Sequence, residues 1–150
     1  MAREPAALMS QLILDEQLDL QLILPRVRRW TSAVPLVELR PNELLLDDRI
    51  PEVLLTLSKP TFVTIDQDFW DRRLCHPDYC ILYFALRDDQ QEQLPQMLRS
   101  LFKQKGFDTR TARMGRVARV GFRDIAYWQF ATTRLKMVES PAAVRRRWQK

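Results

Sequence analysis

The sequence predicts an α/β domain built on a mostly parallel sheet. Three observations lead there: strand-like runs at residues 11–14, 61–65 and 80–86 that are apolar or β-branched and aromatic, a helical apolar period between them and after them, and acids closing the first two runs. A strand buried on both faces shows no polar alternation, so such runs fit a central parallel sheet covered by helices.

Taken in order, Gln11-Leu12-Ile13-Leu14 reads as the first strand, ending at Asp15. Leu24, Val27 and Trp30 with Arg26, Arg28 and Arg29 predict a helix beginning near Pro25, because proline suits a first helical turn. Val34, Leu36, Val37 and Leu39 within 31–39 are consistent with a second strand, and Pro41-Asn42-Glu43 with a turn. Asp47-Asp48-Arg49-Ile50-Pro51-Glu52 carries the acids and first-turn proline of a helix start, with the helix running to about Leu57. Lys59-Pro60 interrupts, and the β-branched and aromatic Thr61-Phe62-Val63-Thr64-Ile65 forms a strand ending in Asp66. Cys80 to Leu86 is a further buried strand. Leu94, Met97, Leu98, Leu101 and Phe102 define a helix within 88–105 that stops at Gly106. Met114–Gly121 and Ile125–Ala131 read as a terminal β-hairpin. One domain over residues 1–133 and a basic tail over 134–150, ending Arg145-Arg146-Arg147-Trp148, follow from this reading.

The 46% hydrophobic content supports a core, and 150 residues suit one domain. No segment has the apolar length of a membrane span, and Met1 to Gln11 lacks a secretory pattern, so no membrane association is expected. With only Cys75 and Cys80, a disulfide scaffold is not indicated and a cytoplasmic location is expected. The net charge of +5 is uneven, with arginine dense in the C-terminal third. Cys75-His76-Pro77-Asp78-Tyr79-Cys80 falls short of a structural zinc site, which wants four ligands, and no phosphate-loop or dinucleotide fingerprint occurs.

The strands ending at Asp15 and Asp66 each deliver a carboxylate to the C-terminal edge, where open α/β sheets form their sites. If these strands are neighbours, at roughly 4.8 Å, the two acids reach one ion. Asp68 stands just beyond, and Asp47 and Asp48 open a helix that could lean over the same edge. A hard cation with oxygen ligands would relieve the mutual repulsion of such a group. Each Asp taken singly reads better as a turn former or helix cap, and only their convergence points to a site.

Leu14-Asp15-Glu16, Asp47-Asp48-Arg49-Ile50 and Phe62-Val63-Thr64-Ile65-Asp66-Gln67-Asp68-Phe69 together resemble the PIN-like family of small toxin-type nucleases. The third, a hydrophobic strand running into T-x-D-x-D-F, is the most specific. Where the family commonly has Asn after the opening Asp-Glu, this chain has Gln17. The resemblance implies a three-layer α/β/α sandwich with a mostly parallel central sheet and C-terminal hairpin. It also implies a metal-dependent endoribonuclease that is the toxin of a toxin-antitoxin pair. On that basis Asp15, Asp47, Asp48, Asp66 and Asp68 are the expected catalytic acids. Asp15, Asp66 and Asp68 would hold Mg2+ or Mn2+, with Asp47 and Asp48 competing for one position. Arg116, Arg119 and Arg123, interleaved with aromatics, would contact RNA. The expected partners are RNA and an antitoxin protein, and a homo-oligomer is left open. A non-catalytic PIN-like module that holds RNA or protein is the alternative.

Overall fold

The computed structural model describes residues 10–39 and 47–139. The turn expected at 41–43 and the end of the basic tail lie outside the described residues, as does the side chain of Asp47.

Seven strands form one sheet among the described residues: β1 (Leu12–Leu14), β2 (Ala33–Pro35), β3 (Thr61–Thr64), β4 (Cys80–Phe84), β5 (Arg116–Val120), β6 (Asp124–Gln129) and β7 (Lys136–Glu139). Their order is β2-β1-β3-β4-β5-β6-β7. The first five are parallel, while β6 and β7 add antiparallel at the end. The helices are α1 (Leu20–Val27), α2 (Leu36–Leu39), α3 (Ile50–Leu54), α4 (Leu94–Leu101) and α5 (Arg110–Arg113).

Side chains alternate across the sheet, and this sorts the core into two layers. Leu12, Leu14, Val63, Leu82 and Ala118 face Ile23 and Val27 of α1 and Leu94, Leu98 and Leu101 of α4. Ile13, Phe62, Ile81 and Val117 face Leu36 of α2 and Ile50, Val53 and Leu54 of α3. Both faces of the central strands are therefore covered by helices, which is why those strands read as continuous apolar runs. Each fully buried Leu, Ile or Phe in these layers contributes about 1.5–3 kcal/mol of apolar burial. Among the described residues no helix is long and apolar enough to cross a membrane.

Several boundaries differ from expectation. Helix α1 starts at Leu20, not near Pro25, because the Asp19 carboxylate accepts the Leu22 N–H at 3.2 Å and caps it. Pro25 consequently sits inside the helix. The second strand covers only Ala33–Pro35, and Leu36–Leu39 turns into α2. The helix expected within 88–105 is a 3-10 segment, Asp88–Gln93, followed by α4 with Pro95 in its first turn. Gly106, at φ +94°, lies beyond the end of α4; a Cβ there would meet the Arg116 guanidinium at 2.8 Å. The expected hairpin is present as β5 and β6. The basic tail expected from residue 134 begins instead by pairing, since Lys136–Glu139 runs antiparallel to β6.

This topology positions the candidate site. The chain leaves β1 for β2 on one side and returns to lay β3 on the other. The carboxyl ends of β1 and β3 thus flank the point where the strand order reverses, the place where open α/β sheets leave a crevice.

Candidate active site at the ends of β1 and β3

The parallel ladder pairs Leu14 with Val63, and the Asp15 N–H extends it by donating to the Val63 carbonyl at 3.0 Å. Asp15 is thereby set beside Thr64, on the sheet face shared with Ile13 and Phe62. Its side chain is almost wholly enclosed, with the residue 4% exposed. The Thr64 hydroxyl donates to Asp15 Oδ2 at 2.6 Å and accepts the Asp66 N–H at 3.0 Å. One buried hydroxyl therefore links both acids. The Asp66 Oδ1 in turn accepts the Asp68 N–H at 3.0 Å, capping the 3-10 turn Gln67–Phe69.

Burial pushes the Asp15 carboxyl above its ordinary 3.8, since desolvation penalises the charged form. Donation from Thr64 and from the backbone of Gln17 and Glu16 opposes that rise, and the negative charge of Asp66 adds to it. Among the described residues neither Asp15 nor Asp66 forms an ion pair. A buried acid beside a second acid, held by neutral donors and unpaired with any cation among the described residues, is a donor set that a small divalent cation fits. Magnesium is commonly held by one or two carboxylates with retained waters.

Of the expected acids, the structure brings Asp15 and Asp66 to adjoining strand ends. Asp68 and Asp48 are exposed, and among the described residues no group of three His, Cys, Asp or Glu side chains gathers as a metal cluster. Among the described residues the arrangement is an edge of two acids, with Thr64 joining the Asp15 carboxylate to the Asp66 N–H. Thr64 is the opening residue of the T-x-D-x-D-F pattern, to which the sequence alone assigns no site role.

The arginines divide into two groups. Arg113 is fully buried, with Nε donating to Thr61, Nη1 donating to the Phe107 carbonyl at 2.8 Å, and the guanidinium 3.8 Å from the Phe102 ring centroid. Arg116 is also committed internally, donating to the Gly106 carbonyl and to Gln129 and lying over Phe107 and Tyr127. Its Nε and Nη1 are thereby held within the fold, while the residue stays half-buried. Arg119, half-buried on β5, reaches Asp124 at 3.9 Å, and Arg123 is exposed in the β5–β6 turn.

The zinc-like segment is accounted for by the fold. Cys80 is buried in β4, its thiol pushed up to about 12 by desolvation, and His76 Nδ1 accepts the Asp78 N–H at 3.1 Å while its ring stacks on Tyr79. A cavity of about 320 Å³ opens at the opposite, N-terminal edge of the sheet, lined by Trp30, Phe102, Arg99 and Lys103 among others. It has no part in the carboxylate site, whose character comes from buried oxygen donors rather than from depth. No protein-family model, curated protein or solved structure matches the chain.

Proposed function

We propose that the edge between β1 and β3 is the active site of a metal-dependent phosphodiester hydrolase acting on RNA. The observation that carries the reading is the buried Asp15, bridged through Thr64 to the Asp66 N–H at the reversal of strand order, with no cationic side chain among the described residues in an ion pair with either acid. Asp15 and Asp66 would hold Mg2+ or Mn2+. Bound there, the cation supplies charge neutralisation at a phosphate oxygen and lowers the pKa of an attacking water. Thr64, with the backbone of Gln17 and Glu16, fixes the Asp15 carboxylate by donating to it. The exposed Asp68, its own N–H tied to Asp66, is the group available to orient the attacking water. A PIN-like fold and a role as the toxin of a toxin-antitoxin pair accompany this reading on the strength of the sequence resemblance.

That Asp66 already caps the Gln67–Phe69 turn favours the second reading, a non-catalytic PIN-like module. Manganese titration and RNA cleavage assays separate the two. Manganese should raise the melting temperature of the wild type by mass action but not that of Asp15→Asn or Asp66→Asn, and cleavage should vanish in both variants. Equal manganese response in all three proteins removes the ligands, while a normal response without cleavage favours the binding module.

A further inference from the structure

Beyond Thr64, the parallel and antiparallel registers continue one row of side chains across the same sheet face. Thr64 pairs with Tyr83, Tyr83 with Arg119, and Arg119 with Ala126. Ile81 and Val117, two residues earlier on β4 and β5, belong to the core layer on that face, so Tyr83 and Arg119 project from it as well. Both are half-buried, and the Tyr83 hydroxyl has no hydrogen-bond partner among the described residues. Starting at Asp15, the row crosses three strand spacings to Arg119, or ~15 Å. That is longer than one nucleotide needs.

Trp128 lies on β6 opposite Val117, on this face and diagonal to Arg119. Its ring is 6.2 Å from that of Trp70, tilted by 32°, and both residues are half-buried. Arg72, exposed, stands 5.6 Å over the Trp128 ring, and its guanidinium makes no hydrogen bond or ion pair among the described residues. It can therefore exchange the ring for a phosphate and uncover it. Helices α2 and α3 cover this face on the β1 and β3 side, while over β5 and β6 it carries aromatic rings and guanidinium groups.

We infer that this surface is a track for a single-stranded polynucleotide, with Tyr83 and Trp128 as stacking platforms and Arg119 and Arg72 as phosphate contacts, leading the strand to Asp15 and Asp66. Rings and guanidinium groups side by side meet the two repeating features of an unpaired strand, base faces and phosphates, whereas a duplex hides its base faces. The direction of the strand toward the acids rests on the hydrolase reading; the track itself does not.

The test measures binding in chelator, where no metal chemistry runs, by fluorescence anisotropy of short labelled RNA and DNA oligonucleotides, single-stranded and duplex. Single strands should bind more tightly than duplex. Trp128→Leu and Tyr83→Leu, which keep apolar cover but remove stacking, should each weaken single-strand binding by about tenfold, and Trp128→Phe should restore it. Arg119→Ala, a half-exposed change that leaves the core intact, should reduce the log–log salt slope by ~0.7. Preference between RNA and DNA names the ligand, and either preference supports the track. Unchanged affinity and salt slope in these variants, or tighter binding to duplex, overturns it. A wild type that binds single strands through these residues yet fails to cut RNA with manganese leaves the track standing and sinks the hydrolase reading instead.

Discussion

Asp15 sets the electrostatic character of the candidate site, and its environment makes a prediction with a definite sign. Its carboxyl is raised above 3.8 in the folded chain, mainly by burial. Below that value both folded and unfolded chains hold the proton, and the group leaves stability unaffected. As pH rises through the window above 3.8, the unfolded chain loses the proton first, so the folded state binds more protons and stability falls. The loss persists at neutral pH. Asp15→Asn has no proton to lose there, so its stability relative to wild type should grow as pH rises from below 3.8 and level off once wild-type Asp15 has ionised. Denaturant unfolding of both proteins across this range, in chelator, measures it. Parallel pH profiles would mean that the enclosure of Asp15 carries no desolvation cost.

At the scale of elements, sequence and structure agree where burial is two-sided and disagree where a cap or a short pairing decides. Strands β1, β3 and β4 were readable because Leu12–Leu14, Thr61–Thr64 and Cys80–Phe84 are buried on both faces and carry no polar alternation. Helix α1 starts earlier than Pro25 suggests, because the Asp19 carboxylate caps it before the proline is reached. The consequence is measurable. Pro25 lacks the N–H that would meet the Gln21 carbonyl, and an interior proline costs up to ~3 kcal/mol, so Pro25→Ala on this exposed position should stabilise the chain by about 1–3 kcal/mol. Asp19→Ala should lower stability by about 1 kcal/mol through the lost cap. Thermal or urea unfolding gives both values. If Pro25→Ala proves destabilising, the helix does begin at the proline.

At the scale of the whole molecule, the part of the site that sequence could not supply was adjacency. The acids at Asp15 and Asp66 were visible as strand endings, but only the order β2-β1-β3 makes those endings neighbours, and only the register brings Thr64 between them. Likewise arginine is dense in the C-terminal third of the sequence, yet α5 and the start of β5 turn Arg113 and Arg116 inward, leaving Arg119 on the open face. The antiparallel end of the sheet shows the same effect, because the four residues Lys136–Glu139 are too short and too polar to announce a strand. They nevertheless pair along β6 from Tyr127 back to Asp124. A chain ending at Thr133 would leave the outer N–H and C=O groups of β6 as a bare edge beside the fully buried Ile125. It should melt at a lower temperature than a chain ending at Ser140 and should self-associate as concentration rises, because an unpaired edge recruits another strand. Melting and light scattering of the two truncations distinguish the cases; identical melting with no association in either would show that β7 contributes nothing to the sheet and that the domain ends at β6.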